Sequence, residues 1–576
     1  MRPRFNFLEG YRKWAALVLV AVLLKLWLVS AQPIFAIGGA VFDDRLFLEL
    51  ANHLLKGEWL GPYSKFTLMK GPMYSIWIAA TFIAGIPLPL AQHLLYLVAC
   101  MLVVYALRPH VTSPGTAWMI FLLLWWNPMS YELPVLGRIL RQNLYTPVTL
   151  LLFAALIALE TRRSASVARR LAWGALLGIS GGMLYLTREE SVWVVPSSIL
   201  LAGAAAWISW RAGEKLRPLF VPLATAAFCG GVIVGTVCAL NYRYYGWFGT
   251  VEFRAPQFLS AYGALQRVIP HHEVRYVPVT REAREKMYAV SPSFAELRPY
   301  LEGDIGLNWA NSSSSVTGQP PAALEIAGGW FMWALRDAVI ASGHNRNAAD
   351  ALAFYAEIGD EINRACDQGL LPARPHSDSM IPPWHHGHPT RLVKNLPGYL
   401  GYFIFFRDFS AISPHSWGDA SLLQLFRDLT RWHLAPSPEA PQLDRPQQVS
   451  FNGWRSSLLD HIGRIFCRID SALVIVGLLG WAALALRAVR FKRCSYLYIL
   501  ATSSLGGCAA VVAVNLLVHV MMFPNRSTGA LAQAYPLLLL FSALIWIELI
   551  SVFRACLGPS PRNSAGAETD RIMSSV

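Results

Sequence analysis

Charge is scarce in this sequence. Asp, Glu, Lys and Arg make up 15% of its 576 residues, whereas soluble proteins carry about 25%. Hydrophobic residues make up 55%, with 21 tryptophans among them, and they are gathered into long runs. A soluble globular protein is therefore excluded, and these runs predict an all-helical protein that crosses a membrane several times.

Two other patterns are missing as well. The eight cysteines include no pair at metal-binding spacing, and five of them lie in or beside apolar runs. Cys366 and Cys467 are too far apart in sequence to be called a pair. The first apolar run, at about residues 14–30, has no small-residue cleavage pattern behind it. We therefore expect it to be retained as a span.

In a soluble protein the net charge of +14 would indicate a nucleic-acid partner. Here much of it lies in short loops between apolar runs, so it indicates how the chain is oriented in the membrane. Arg and Lys precede the first of about ten to eleven apolar segments and follow the third, fifth, seventh and ninth. Cytoplasmic loops collect Lys and Arg, and all five clusters fall inside if the second segment does not cross completely. We predict a multi-pass plasma (inner) membrane protein with no nucleic-acid partner.

This orientation places several polar segments on the outer, periplasmic side. One of them, 241–470, is rich in Pro, His and charge, and it is long enough to form a domain. We predict four parts: a transmembrane catalytic module at 1–240 with an outer loop at 31–71, an inserted extracytoplasmic domain at 241–470, transmembrane helices at 471–557, and a disordered tail at 558–576.

Asp43 and Asp44 stand just past the first apolar run. Carboxylates are costly near lipid, so they are functional candidates at such a place. Residues 44–55 have the apolar spacing of an amphipathic helix, with Glu49 on its polar side. Since a carboxylate is also a good helix cap, the alternative is that Asp43 only caps this helix and Asp44 is only a first-turn charge.

Lys70 and several arginines could hold a phosphate near these carboxylates. A carboxylate pair and a lysine at one membrane boundary could activate a hydroxyl and bind a phosphate. Arg138, Arg141 and Arg188 are further candidates, because guanidinium binds phosphate in a bidentate manner. Arg138 and Arg141 could instead be snorkelling residues, and Arg188 with Glu189 could form an internal salt bridge.

The segment 384–388 is the one candidate metal site in the sequence. Its three histidines could ligate zinc or another divalent ion, but no fourth ligand is obvious. We favour a solvated His-rich loop and predict neither a metal site nor another cofactor.

Three short motifs resemble a known family. They are Asp43-Asp44 with Glu49 and Ala51 downstream, Gly57-Glu58-Trp59, and Lys70-Gly71-Pro72-Met73-Tyr74. Over 42–77 they resemble the first outer loop of GT-C glycosyltransferases, and most closely that of the protein mannosyltransferases and lipid A aminoarabinose transferases of glycosyltransferase family 39. Those proteins carry Asp-Glu, Glu-x-Ala, Gly-Asp-Trp and Lys-Pro-Pro. The resemblance is weaker up to Leu240 and does not cover the rest.

The resemblance implies a GT-C-like helical bundle and an inverting transfer of a sugar. The donor would be a polyprenyl-phosphate sugar, and the acceptor would be a hydroxyl or amine of a glycan, lipid or protein on the outer face. Asp43 takes the role of general base, Asp44 the companion position, and Lys70 that of the lysine contacting the lipid phosphate. We expect Glu49 and Glu189 to support the site or contact the acceptor.

Two other classes of function stay open at this point. A flippase or transporter for a lipid-linked sugar predicts charges deep within spans and pseudo-repeats, and the sequence has few such charges and no visible repeat. An oligosaccharide ligase or polymerase with a diphosphate donor would also work on the outer face with arginines, so these motifs separate it poorly from a transferase.

Overall fold

The structure, a computed structural model, describes residues 5–188, 191–211, 217–439, 446–491 and 494–556. These residues form helices joined by turns and loops. No β-strand occurs within them, and β contacts are isolated bridges such as Ile34–Leu434 and Ile37–Trp417. The predicted all-helical class is confirmed.

The helices fall into three consecutive groups. The first is α1 (Phe5–Val29), α2 (Leu46–Leu55), α3 (Met73–Ile83), α4 (Leu88–Leu107), α5 (Pro114–Trp125), α6 (Gln142–Thr161), α7 (Val167–Thr187), α8 (Val194–Arg211) and α9 (Arg217–Tyr245). The second is α10 (Pro256–Arg267), α11 (Arg281–Tyr288), α12 (Pro292–Ala295), α13 (Arg298–Leu301), α14 (Asp304–Thr317), α15 (Gly328–Ala341), α16 (Ala348–Asp367), α17 (His388–Ile404) and α18 (Ala420–Thr430). The third is α19 (Pro446–Phe491), α20 (Tyr496–Met521), α21 (Thr528–Leu531) and α22 (Tyr535–Cys556).

Six of the described helices are long and apolar enough to cross a membrane. They are α4, α6, α9, α19, α20 and α22. Four shorter apolar stretches lie at Trp14–Val29, Met73–Ile83, Pro114–Trp125 and Ser191–Gly203. The chain is a polytopic helical membrane protein, as predicted.

Helix α19 runs through the predicted end of the inserted domain. It begins at Pro446 and continues for 46 residues without a break, whereas the sequence predicts a boundary at 470. Because α9 ends at Tyr245, the helix bounds leave 246–445 between the two transmembrane groups. The domain limits 241–470 remain a prediction, and the predicted tail at 558–576 lies outside the described residues.

Lys25 and Asp470 are charged residues buried inside apolar helices. Lys25 of α1 is fully buried, and its ammonium donates to the Trp125 carbonyl at the end of α5 and to Ser130 Oγ at 2.7 Å. The ring of Trp125 lies 4.2 Å from the ammonium. A cation is stabilised at a helix C-terminus, so Lys25 joins α1 to α5. Asp470 of α19 is also buried, and neither of its carboxylate oxygens has a hydrogen-bond partner in the described part of the chain.

Helices α7 and α9 pack through small residues. A Cβ on Gly174 would overlap the Pro222 carbonyl, and one on Gly178 would overlap the Ala226 carbonyl. Small residues let membrane helices approach until their backbones touch, which strengthens dispersion contacts where no hydrophobic force acts between the helices. The contact leaves no room for a side chain at Gly178.

Gly178→Ala should lower the apparent melting temperature of the purified protein, because the new methyl group forces α7 away from α9. Gly181→Ala is the matched control on the same helix, since nothing lies within 4 Å of a Cβ there and alanine favours a helix by about 1 kcal/mol over glycine. The melting temperatures of both variants are measured by thermal unfolding in detergent, followed by size-exclusion chromatography. Equal melting temperatures for the two variants would contradict the close α7–α9 contact.

Candidate active site

A π-helical turn sets the direction of the two aspartates. The turn covers Val41–Arg45 and leads directly into α2, so the predicted helix at 44–55 is present with an irregular first turn. No side chain caps the π turn or α2, so Asp43 is not a helix cap. The side chain of Asp44 is 0% exposed, whereas that of Asp43 is 48% exposed.

Asp44 is held by a buried ion pair with Arg138. Arg138 Nε lies 3.1 Å and 3.3 Å from the two carboxylate oxygens, and Nη2 donates to one of them. The Ile139 amide donates to the same carboxylate at 3.3 Å. Burial raises the pKa of Asp44 to about 6, although the hydrogen bonds and charge of Arg138 oppose it. Because its side chain is fully buried, Asp44 cannot contact a substrate directly.

Asp43 contacts Lys70 instead. Lys70 Nζ lies 2.5 Å from Asp43 Oδ1, and Arg138 Nη2 lies 3.8 Å from Asp43 Oδ2. Burial by itself would raise the pKa of Asp43. The charge and hydrogen bond of Lys70, followed by the charges of Arg138 and Arg141, outweigh it and lower this pKa to about 2. Asp43 is therefore an ionised, half-exposed carboxylate next to three cations.

The remaining predicted site residues lie in different places. Arg141 contributes charge at Asp43 and donates to the Thr187 carbonyl at 3.3 Å. The guanidinium of Arg188 lies 5.5 Å from the ring of Tyr145. Glu49 pairs with Arg45 one helical turn before it, at 3.3 Å. Glu189 lies outside the described residues. Arg141 thus lies near Asp43. Glu49 instead pairs with Arg45 in the turn that leads into its helix.

The backbone after Lys70 rests against the end of α7. A Cβ on Gly71 would overlap the Leu186 carbonyl, so glycine at this position is required by the close approach. The same loop meets α9, since the Tyr245 hydroxyl donates to the Gly61 carbonyl at 2.8 Å. Gly71 in the Gly71-Pro72 pair therefore fits the local packing of this chain.

Aromatic residues of the first and the second helix group cover Lys70. Its ammonium lies 5.7 Å from the ring of Trp333 in α15 and 5.5 Å from the ring of Phe47 in α2. Phe42, next to Asp43, stacks on Trp333 with ring centres 4.5 Å apart. Such cation–π contacts stabilise a partly buried ammonium. The sequence offers no signal for this contact, because residues 42 and 333 come together only in the folded chain.

A second buried ion pair anchors the loop that carries Lys70. Arg336 of α15 lies 2.5 Å from Glu252, and both are almost fully buried. The Tyr63 hydroxyl donates to Glu252 at 2.8 Å, and Arg336 Nη2 donates to the carbonyls of Ser64 and Thr67 at 3.0 Å each. The pair therefore holds residues 63–67 against the second helix group. Sequence reasoning missed it, since a lone Glu and a lone Arg 84 positions apart show no pattern.

The histidine-rich segment shows pairs rather than a ligand set. His385 lies 3.5 Å from Glu273, and His376 lies 3.1 Å from Asp378. Among the residues that the structure describes, no group of three or more His, Cys, Asp or Glu could hold a metal ion.

No protein-family model and no curated protein sequence matches the chain significantly. Among solved structures, it is similar to ArnT from Cupriavidus metallidurans in the apo state, with 13% identity, a TM-score of 0.31 and coverage of 95% of this chain and 81% of that one. It is also similar to ArnT from Cupriavidus metallidurans bound to undecaprenyl phosphate, with 11% identity and a TM-score of 0.31. That match covers 96% of this chain and 81% of the other. A likeness this weak assigns neither a substrate nor a role to any residue here.

Arg336→Ala should destabilise the protein, because it leaves Glu252 buried without its cation. Breaking a buried pair from one side costs about 3–5 kcal/mol. Adding Glu252→Gln should restore part of the loss. Thermal unfolding of the purified protein measures these effects.

Arg346→Ala is the matched control, since Arg346 pairs with Asp350 at the surface and exposed pairs contribute little. If Arg346→Ala destabilised the protein as much as Arg336→Ala, Arg336–Glu252 would not be the anchor of this loop.

Proposed function

We propose that this protein is a GT-C-type membrane glycosyltransferase. It would move a sugar from a polyprenyl-phosphate donor to an acceptor hydroxyl or amine on the outer face of the plasma (inner) membrane, with inversion. The observation that carries this proposal is the contact of an open carboxylate, Asp43, with Lys70, beside Arg138 and at the end of apolar helices. A base and phosphate-binding cations then lie within reach of one lipid-borne substrate.

The chemistry follows from these groups. The acceptor hydroxyl gives its proton to Asp43 as its oxygen attacks the anomeric carbon of the sugar. The bond from that carbon to the phosphate oxygen breaks, and its electron pair stays with the phosphate. A phosphate is a stable anion, so no acid is needed to protonate it. Preorganised cations stabilise its developing charge, and Lys70 and Arg138 would supply them.

The Asp43–Lys70 contact fits a state without donor. An arriving lipid phosphate competes with Asp43 for the ammonium of Lys70. Once Lys70 turns to the phosphate, Asp43 loses the cation that lowers its pKa most and becomes a better proton acceptor. Donor binding would thereby activate the base, which links the two halves of the reaction.

Asp44 would act as a support in this mechanism. Its buried contact with Arg138 fixes the plane of the guanidinium, since both Nε and Nη2 bind the carboxylate. Arg141, and Arg188 beyond it, are further candidates for the lipid phosphate, with Glu189 next to Arg188. The second helix group lies over Lys70 through Trp333, which supports a role for it in selecting a glycan, lipid or protein acceptor.

Asp43→Asn should lower sugar transfer by about 10²–10⁴-fold, which is the usual contribution of a general base. Mass spectrometry of surface glycans, in cells that carry either form of the protein, measures the product. Asp360→Asn is the control, because Asp360 is an exposed residue of α16. Full transfer by Asp43→Asn in isolated membranes would falsify the assignment of the base. If the released lipid carries two phosphates, the protein is a ligase or polymerase instead.

Lys70→Gln should move the acid limb of the pH dependence of kcat/KM to higher pH, because kcat/KM reports the pKa of Asp43 in the enzyme without donor. In the wild type, the charge and hydrogen bond of Lys70, together with the charges of Arg138 and Arg141, outweigh burial and lower the pKa of Asp43 to about 2. Without the charge of Lys70 the pKa of Asp43 rises. Asp43 is then protonated, and no longer acts as a base, at a higher pH than in the wild type. The position of the acid limb is the readout, because the rate itself also falls. Lys65→Gln, on the same loop, should leave it in place, and an unmoved limb in Lys70→Gln would contradict the coupling.

A further inference from the structure

A pocket lies where the end of α19 and the start of α20 meet α22. The opposite ends of α19 and α20 contact the second helix group. Asp460 of α19 accepts the Ala411 amide at 2.8 Å, and the Tyr276 hydroxyl donates to the His519 carbonyl of α20 at 3.2 Å. Because the second helix group covers Lys70, the pocket belongs to the other end of the membrane bundle. The basic residues at 487–493 predict that this end is cytoplasmic.

The pocket is large and carries both charges. Its volume is about 580 Å³, within the range of about 300–1,000 Å³ that is usual for small-molecule sites. Arg487 of α19 and Glu548 of α22 line it, together with Cys494, Ser495 and Tyr498 around the start of α20. The rest of the lining is apolar.

Arg487 and Glu548 share this pocket without pairing. In the part of the chain that the structure describes, neither side chain forms an ion pair or a hydrogen bond. Arg487 is exposed and Glu548 is half-buried. Both lie on helices that are apolar enough to cross a membrane, where an unmatched charge is costly and is a functional candidate by default. A ligand with one negative and one positive group would match both of them.

The negative group of such a ligand fits best beside Arg487. A guanidinium binds phosphate through two parallel hydrogen bonds. Helix α20 also begins at the pocket, where Ser495 Oγ accepts the Tyr498 amide at 3.1 Å, and the first turn of a helix favours an anion. Glu548 would repel that anion and attract a cation. The pocket therefore favours a zwitterion over a ligand of either single charge.

Apolar side chains around the pocket indicate that the zwitterion is part of a lipid. Phe491 of the lining is 59% exposed, and Phe553, next to Val552 of the lining, is 65% exposed. Acyl chains would cover such side chains on the surface of a membrane helix. A small water-soluble zwitterion would leave them uncovered.

We propose that this pocket binds the headgroup of phosphatidylethanolamine, a zwitterionic phospholipid with a primary ammonium group. The phosphate would contact Arg487, and the ammonium would donate to Glu548. A primary ammonium has three N–H donors, whereas the trimethylated ammonium of phosphatidylcholine has none. The bound lipid would join α19 to α22. This site is separate from the one at Asp43 and Lys70, and it does not depend on the proposed function.

The test compares lipids that differ only in the headgroup. Native mass spectrometry of the purified protein measures the binding of phosphatidylethanolamine, phosphatidylcholine and phosphatidylglycerol with the same acyl chains. A charge-assisted hydrogen bond to Glu548 should make phosphatidylethanolamine bind roughly tenfold more tightly than either of the others. Equal affinities for the three lipids would overturn the inference. Tightest binding of phosphatidylglycerol would also overturn it and leave a purely cationic surface. Displacement of the lipid by an equal concentration of soluble glycerophosphoethanolamine would overturn the assignment to a lipid.

Substitutions assign the two halves of the headgroup. Glu548→Gln should remove the preference for phosphatidylethanolamine over phosphatidylcholine, because the ammonium loses its carboxylate. Arg487→Gln should weaken the binding of all three lipids severalfold. Arg490→Gln is the matched control, since Arg490 lies in the last turn of the same helix but not in the pocket lining. An unchanged lipid preference in Glu548→Gln would overturn the proposal, as would an equal loss of affinity in Arg490→Gln and Arg487→Gln.

Cys494 reports where the lipid binds. Its thiol lines the pocket, and among the described cysteines it is the exposed one. In nanodiscs, phosphatidylethanolamine should slow the alkylation of Cys494 by a maleimide severalfold relative to phosphatidylcholine, and Glu548→Gln should abolish this difference. Peptide mass spectrometry confirms the modified residue. Equal rates of alkylation in the two lipids would overturn the placement of the headgroup in this pocket.

Discussion

The buried pair of Asp44 and Arg138 is the contact on which the candidate site depends. It joins the π turn before α2 to the segment that precedes α6. A carboxylate with no exposed surface is stable only while its cation stays in place, so these two segments cannot separate at low cost. Because Asp44 is fixed inward, its neighbour Asp43 is presented outward, and the same guanidinium lies next to both. One ion pair therefore sets the direction of Asp43, the position of Arg138 and the spacing between them.

Lys70 is held from the opposite direction by residues far along the chain. Arg336 and Glu252 anchor 63–67 just before it, and Trp333 covers its ammonium. The lysine belongs to the loop between α2 and α3 by sequence, but it also contacts the second helix group. The region after α9 is thus a structural part of the candidate site.

The sequence allowed the membrane class, the helix after Asp43 and the proximity of Asp43 to Lys70 to be predicted, because hydropathy and position at a span boundary are local signals. The burial of Asp44 could not be predicted, since two adjacent aspartates look alike until a π turn separates their directions. Arg336, Glu252 and Trp333 carry no local signal, and their contacts arise from tertiary packing alone. The predicted domain limit at 470 lies inside α19, a helix that begins in polar sequence and continues into apolar sequence.

The close contact of α7 with α9 has a mechanical consequence. Because their backbones touch, the two helices have few side chains between them that could change conformation. They therefore form a stiff unit. This unit touches the Lys70 loop at the C-terminal ends of both helices, at Leu186 with Gly71 and at Tyr245 with Gly61. Membrane helices tilt to match the thickness of the surrounding lipid. A change in bilayer thickness would therefore reach Lys70 as a displacement of its loop, so lipid composition becomes a determinant of the site's geometry.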